Sequence, residues 1–257
     1  MSKKGLILQD NASLRARYED LAAGDVVACR LGLRDGEEQL LCDLVCRGVL
    51  LIPSAVAQLC SRSKVLQAHI FSRWLPPPTR AVHDLQDLME TVNIYGAAAV
   101  GAVVCKLDRA NAGMGVLRFD GIEQVYNLAV GGGLPFPFVL QPYLAEARDV
   151  RVIRLGEYTE AYRRNNPYNW RHNLHCGGRG SVHRLTVVQR QLCDEVMARG
   201  GFPYAHIDLL LTGDGACYLT EINLSGGIRG ARISQEEYRE GLRRIHSELV
   251  DKALQEG

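Results

Sequence analysis

No hydrophobic stretch in this 257-residue sequence runs far before an arginine, aspartate or lysine interrupts it, which excludes a membrane-spanning helix. Charge of one sign is missing as well: 30 Lys and Arg stand against 29 Asp and Glu. That balance removes the electrostatic ground for a nucleic-acid partner. Paired cysteine spacings are absent. The eight cysteines are scattered, mostly inside apolar segments, and read as reduced, buried thiols rather than a disulfide framework. The opening MSKKGLILQDNASLR has a four-residue apolar run, too short for a secretory signal, so a cytoplasmic protein is expected. There is no GxSxG elbow and no cysteine set in a known Cys–His signature, which argues against hydrolysis through a covalent intermediate.

What is present is ordinary globular material, 47% hydrophobic and 23% charged, long enough for one large domain or two smaller ones. GLILQ, DVVACRL and GVLLIP read as short strands around helical patterns at 13–22 and 54–74, a small α/β unit. Pro76, Pro77 and Pro78 cannot continue a helix and mark a connector. A helix led by Asp84 follows, then the strand GAVVCKL, a helix near 121–129, and strands in PFVLQPYL and VRVIRLGEYTEAYRR. NNPYNWRHNLHCGGRGS reads as loop, 186–199 as helix, 204–222 as hairpin and 234–254 as an amphipathic helix. Strands clustered after a short α/β start predict an α+β fold for the larger part.

The hairpin HIDLLLTGDGACYLTEINLSGG, residues 206–227, carries the first chemical signal. A two-residue turn at Gly213-Asp214 or Asp214-Gly215 sets Asp208 opposite Leu219 or Glu221. Either register puts Asp208, Glu221 and Asn223 on one face. Three oxygen-bearing side chains suit a hard cation such as Mg²⁺, or a solvated polar face; the hairpin alone leaves both open.

Lys106 ends an apolar strand just ahead of Asn111, Gly113 and Gly115. Glycines two apart let backbone approach phosphate oxygens, and the lysine supplies charge. Neither GxxxxGK[ST] nor GxGxxG is matched, so the pattern taken alone favours a plain β-hairpin over a phosphate site. The loop WRHNLHCGGRGS gathers Arg171, His172, Asn173, His175 and Arg179. Zinc held by His172, His175, Cys176 and His183 fits no common spacing; anion recognition by arginine forks and backbone N–H groups is the better reading. Upstream, Asp149, Arg151, Arg163 and Arg164 either add charge to the same site or form a salt-bridged surface.

Taken in order, these segments resemble the ATP-grasp superfamily, and specifically its RimK-like branch of glutamate ligases, over about residues 60–235. The resemblance implies an ATP-grasp fold, two α+β subdomains gripping ATP, with 61–140 covering the nucleotide and 141–257 binding metal and substrate. A short, truncated α/β region over 1–60 precedes them. Lys64, in SRSKVLQAHIF, and Lys106, in VVCKL, match the family's two nucleotide-binding lysines. Gly113 and Gly115 match its lid loop, and Gln141, Tyr143 and Leu144, in FVLQPYL, its adenine-lining hinge. Arg151, in DVRVIRLG, is implied to face the phosphates or an acyl phosphate. Arg163, Arg171 and Asn173, in YRRNNPYNWRHNLHCGG, are implied to touch phosphates or substrate, with His175, Gly177 and Gly178 shaping the pocket. Asp208, Glu221 and Asn223 stand where the family's magnesium ligands stand, so ATP and Mg²⁺ (or Mn²⁺) are the implied cofactors.

The implied activity is an ATP-dependent carboxylate–amine ligase. A substrate carboxylate attacks the γ-phosphate to give an acyl phosphate, and an amine then displaces phosphate. No side-chain nucleophile is required. The implied partners are small-molecule or peptide carboxylates and amines, with a homo-oligomer or partner protein as an open addition. Three departures from the family pattern stand out: Pro142 in the hinge, Leu-Ser-Gly-Gly after Asn223 with Arg229 following, and about sixty residues ahead of Lys64. Two alternatives stand beside the ligase: a nucleotide-binding protein that acts with a partner, to which Pro142 and the short N-terminal region point, and an ATP-grasp kinase phosphorylating a small molecule, since the superfamily also holds kinases.

Overall fold

A computed structural model of the chain describes residues 5–110, 114–172 and 177–256, and its strands form three sheets. The first is parallel, with β1 (Ile7–Leu8), β2 (Val26–Val27) and β3 (Leu50–Leu51) in that order. Two helices, α1 (Asn11–Arg17) and α2 (Gln39–Cys46), connect these strands. The strands are shorter than their apolar runs predict because the chain leaves the sheet after Val27. Ala28, Cys29 and Leu31 stay buried, and Leu31 N–H donates to the Gln58 side chain at 2.8 Å.

The helical pattern at 54–74 divides into α3 (Ala55–Cys60), α4 (Lys64–Ile70) and a 3₁₀ turn at Ser72–Trp74. Ser63 causes the break. Its backbone is extended and its hydroxyl accepts from Leu66 N–H, so a second helix starts where hydrophobic period alone reads one.

The second sheet has the order β4-β7-β5-β6, with β4 at Arg80–Val82, β5 at Val103–Leu107, β6 at Val116–Phe119 and β7 at Phe138–Pro142. Two helices, α5 (Leu85–Ala97, capped by Asp84) and α6 (Ile122–Val130), cover one face. There Leu88, Tyr95 and Val125 pack on Val103, Cys105, Phe138 and Leu140. Strand alternation turns Val104, Lys106 and Gln141 to the other face.

The third sheet is antiparallel, in the order β10-β9-β8-β11-β12. Its strands are β8 (Arg148–Leu155), β9 (Tyr158–Asn165), β10 (Arg179–Val182), β11 (Tyr204–Leu211) and β12 (Cys217–Asn223). Here the loop expected up to Ser181 is corrected, since Arg179–Val182 pairs with β9. The apolar face, with Val150, Val152, Ile207 and Leu209, packs with Leu192, Cys193 and Val196 of α7 (Val187–Gly200). That helix opens on a capping box of Thr186 and Gln189, a feature whose loss costs about 1 kcal/mol. The C-terminal helix α8 (Gln235–Glu256) ties the first sheet to the third. Its His246 bonds the Tyr204 hydroxyl at 2.9 Å and the Ala28 carbonyl at 3.1 Å.

Cysteine burial is less uniform than the composition suggests. Cys29, Cys60, Cys105 and Cys193 are buried free thiols, but Cys42 and Cys46 are exposed on the outer side of α2. Among the described residues no helix is long and apolar enough to cross a membrane.

Candidate active site

The uncovered faces of the second and third sheets look at each other across a cavity of about 890 Å³, closed at one end by the chain after β2. Arg30, Leu31 and Gly32 come from that segment, Lys106 and Gln141 from the second sheet, and Arg151, Arg164, Asp208, Glu221 and Asn223 from the third. Nine lysines and arginines line it against four aspartates and glutamates. The balanced charge of the whole sequence therefore hides a strongly positive interior.

Register builds the floor. Cα pairing sets Arg164 beside Asp149 on one rung, and Arg151, Asp208 and Glu221 side by side on the next, so the two arginines stand among three carboxylates. Arg151 grips Asp208 through both oxygens, Nε to Oδ1 at 2.7 Å and Nη2 to Oδ2 at 2.8 Å. Arg164 adds a contact to Asp208 at 3.0 Å and a two-point contact to Asp149 at 2.5 and 3.0 Å. Burial raises the pKa of the Asp208 carboxyl, but the charges of Arg151 and Arg164 outweigh it and hold the group below the usual carboxylate range.

The hairpin turn differs from the two-residue expectation. A loop spans 212–216, with Thr212 N–H donating to the Ala216 carbonyl. On its own this loop places Asp208 opposite Thr220. A bulge between Asp208 and Leu209 shifts the register by one, restoring Asp208 opposite Glu221, and the Thr220 hydroxyl donates to the Asp208 carbonyl at 3.0 Å.

Lys106 projects from β5 and donates to the Thr220 carbonyl at 3.0 Å. Burial drives its pKa down to about 8, partly opposed by Glu221. Lys64, at the start of α4, sits 3.9 Å from Glu221 and bonds the Ala110 carbonyl. At the mouth, Arg118 lies over Tyr143 at 4.5 Å and Arg171 over Trp170 at 4.3 Å. The two rings meet edge to face at 6.0 Å, forming an aromatic shelf beside the hinge. Arg171 also donates to the Val116 carbonyl at 3.0 Å.

Donor chemistry suits a hard cation. Asp208, Glu221 and Asn223 all present oxygens to the cavity, and the arginine contacts leave Asp208 Oδ1 with lone-pair capacity. Among the described residues no group of three His, Cys, Asp or Glu converges as a metal site, so the Asn223 amide is needed to complete the set.

Most residues singled out from the sequence line this one cavity: Lys64, Lys106, Gln141, Tyr143, Leu144, Arg151, Arg171, Asp208, Glu221 and Asn223. Gly115 lies beside it, where a Cβ would come within 2.1 Å of the Ala110 Cβ. Gly113, Asn111, Asn173, His175 and Cys176 lie outside the described residues. Arg163 is exposed on the opposite face of β9, and its neighbour Arg164 takes the inward place. The hairpin turn at Gly156-Glu157, with Leu155 opposite Tyr158, carries the signal that sets this choice, since it forces Tyr162 opposite Arg151 and Arg164 opposite Asp149. His172 accepts from Asn166 N–H, whereas His183 bonds Gln189, so those two histidines are not joined.

Sequence reasoning also missed His206. It is buried beneath Gly226, bonds the Tyr238 hydroxyl at 2.9 Å, and its Nδ1 has no hydrogen-bond partner among the described residues. A Cβ at position 226 would stand 2.9 Å from that Nδ1. Gly226, the first glycine of the Gly-Gly that departs from the family pattern, thus leaves the space this ring requires.

The model of the RimK-like ATP-grasp domain matches residues 61–237. A probable alpha-L-glutamate ligase 2 of Shewanella frigidimarina is 27% identical over 227 residues, 85% of this chain and 75% of the relative. The crystal structure of D-alanyl-alanine synthetase A from Vibrio cholerae superposes with a TM-score of 0.57 at 16% identity, covering 92% of this chain and 76% of that one. N5-carboxyaminoimidazole synthetase from Staphylococcus aureus, complexed with ADP, superposes at 0.61 and 12% identity over 93% of this chain and 63% of that one.

Proposed function

The chain belongs to the RimK-like ATP-grasp family, and we propose from that premise that it is an ATP-dependent ligase joining a carboxylate to an amine. The observation that carries this reading is the cavity itself: nine cationic side chains against four carboxylates, beside an aromatic shelf at the hinge. A triphosphate and an acid substrate supply the missing negative charge, and adenine supplies a flat ring for Tyr143 or Trp170.

In this reading the substrate carboxylate attacks the γ-phosphorus, the bond to the β-phosphate oxygen breaks, and ADP leaves. The amine then adds to the carbonyl carbon of the acyl phosphate, loses a proton, and expels phosphate. Lys106 and Lys64 bind phosphate oxygens, and Arg151 and Arg164 face the charge developing during transfer. Asp208, Glu221 and Asn223 hold Mg²⁺, which when bound neutralises phosphate charge. Arg171 ties the loop after β9 to β6, and that tie helps exclude water from the activated acid.

The acid or its acceptor is anionic. Arg30, which bonds the Ser225 hydroxyl, and Arg229 both line the cavity, and neither pairs with a carboxylate among the described residues. Both therefore remain available to a carboxylate. The division into 1–60, 61–140 and 141–257 belongs to the same reading.

Hydroxylamine trapping tests it. Mg·ATP and hydroxylamine are incubated with the protein and a panel of amino acids, peptides and other acids. ADP together with a hydroxamate from one acid is the expected result. A stable phosphorylated product instead would establish a kinase, and ATP binding without turnover on any acid would leave the nucleotide binder.

A further inference from the structure

In the five-stranded sheet β12 is an edge strand, and its outward groups belong to Thr220, Ile222 and Leu224. An unpaired edge is free to fray. Here it is not unpaired. The Gln67 side-chain amide accepts from Ile222 N–H at 3.0 Å and donates to the Ile222 carbonyl at 3.0 Å. The same nitrogen donates to the Cys60 carbonyl at 2.6 Å, which fixes the amide's orientation. Gln67 is 4% exposed, so water does not compete for these bonds. On either side, Lys106 bonds the Thr220 carbonyl and Ser61 accepts from Leu224 N–H, each at 3.0 Å. One side-chain amide thus stands in for the missing neighbouring strand.

The two residues that flank Ile222 are Glu221 and Asn223. Their backbones pair inward with Asp208 and His206, so their side-chain positions follow the position of the strand between them. Lys64, three residues before Gln67 and on the same face of α4, is the residue facing the Glu221 carboxylate. A single helix therefore fixes both the height of β12 and the charge opposite it.

We propose that Gln67 is a positioning residue for the divalent-cation ligands, holding Glu221 and Asn223 at the spacing the ion requires. This rests on the reading that those two residues hold Mg²⁺. Groups that orient metal ligands typically contribute 10- to 100-fold in metal affinity. Gln67 thus acts on the affinity for the ion, leaving recognition of the acid and amine alone.

The experiment measures Mn²⁺ binding by electron paramagnetic resonance with saturating ADP, for the unmodified protein, Gln67→Met and Glu221→Gln. Met fills a similar volume and makes neither bond. The expected result is an Mn²⁺ dissociation constant raised about tenfold or more in both variants, with metal-free ADP affinity unchanged in Gln67→Met. Wild-type Mn²⁺ affinity in Gln67→Met beside a loss in Glu221→Gln overturns the role of Gln67 alone. Wild-type affinity in both overturns the cation site itself. Should Gln67→Met not fold, amide exchange at Ile222 in the unmodified protein decides. Protection comparable to Ile207, on the inner strand β11, supports the clasp, and free exchange removes it.

Discussion

Arg151 and Asp208 form a two-point ion pair across β8 and β11, 2.7 and 2.8 Å long, and Arg164 reaches the same carboxylate at 3.0 Å. Asp208 is thus both an expected cation ligand and the counter-charge for two buried guanidiniums. Asp208→Asn should abolish turnover and also destabilise the fold by about 3–5 kcal/mol, the usual cost of stripping a buried ion pair of one partner. Urea unfolding alongside activity checks this. Unchanged stability would mean that Asp149 balances both arginines alone.

Lys106 gives a pH signature. Burial lowers its pKa to about 8, so in the free protein it loses its proton as pH rises through that value. Polyphosphate favours the charged form, so binding above pH 8 takes up a proton and ADP affinity falls. Calorimetric titration at pH 7 and pH 9 should show that fall, and Lys106→Met should weaken binding at pH 7 and flatten the dependence. A wild-type affinity constant over this range would remove the lysine from the phosphates.

Gly226 and His206 should couple. The Cβ added by Gly226→Ala would lie 2.9 Å from the buried ring, so the variant should lose about 1–3 kcal/mol of stability. Adding His206→Ala should recover most of it, a coupling above about 1 kcal/mol. Burial, then the charge of Arg151, also lowers the pKa of His206 to about 4. The unfolded chain takes up the proton near pH 6.5 and the folded one only near 4, so stability falls as pH drops across that window, by roughly 3 kcal/mol. Chemical denaturation at pH 7.5 and 4.5 should show His206→Ala losing less than the unmodified protein.

Trp170 offers a direct reporter. The sequence has two tryptophans, and Trp74 is engaged elsewhere, with Glu195. In a Trp74→Phe background, adenine nucleotide should change the remaining emission with the same midpoint as calorimetry. Inorganic triphosphate should leave it nearly unchanged. Equal responses to both would place the ring against phosphate movement rather than the base.

Short-range pattern was enough for much of this protein. The period-two runs around Lys106 and Asp208, the capping Asp84 and the ordered motifs from Lys64 to Asn223 made the α+β class, the family and ten of the cavity residues legible, because each is a local spacing or a matched segment. Facing was not local. Arg164 rather than Arg163 points inward because of the turn at Gly156-Glu157, and Glu221 meets Asp208 only because a bulge at Thr220 corrects an odd-length loop. Gln67, His206 and Arg30 carried no signal at all, since their partners lie 155, 32 and 195 residues away. The sequence by itself determined which chemistry could be assembled. Tertiary structure decided which side chains take part, because register and long-range hydrogen bonds depend on where distant segments meet.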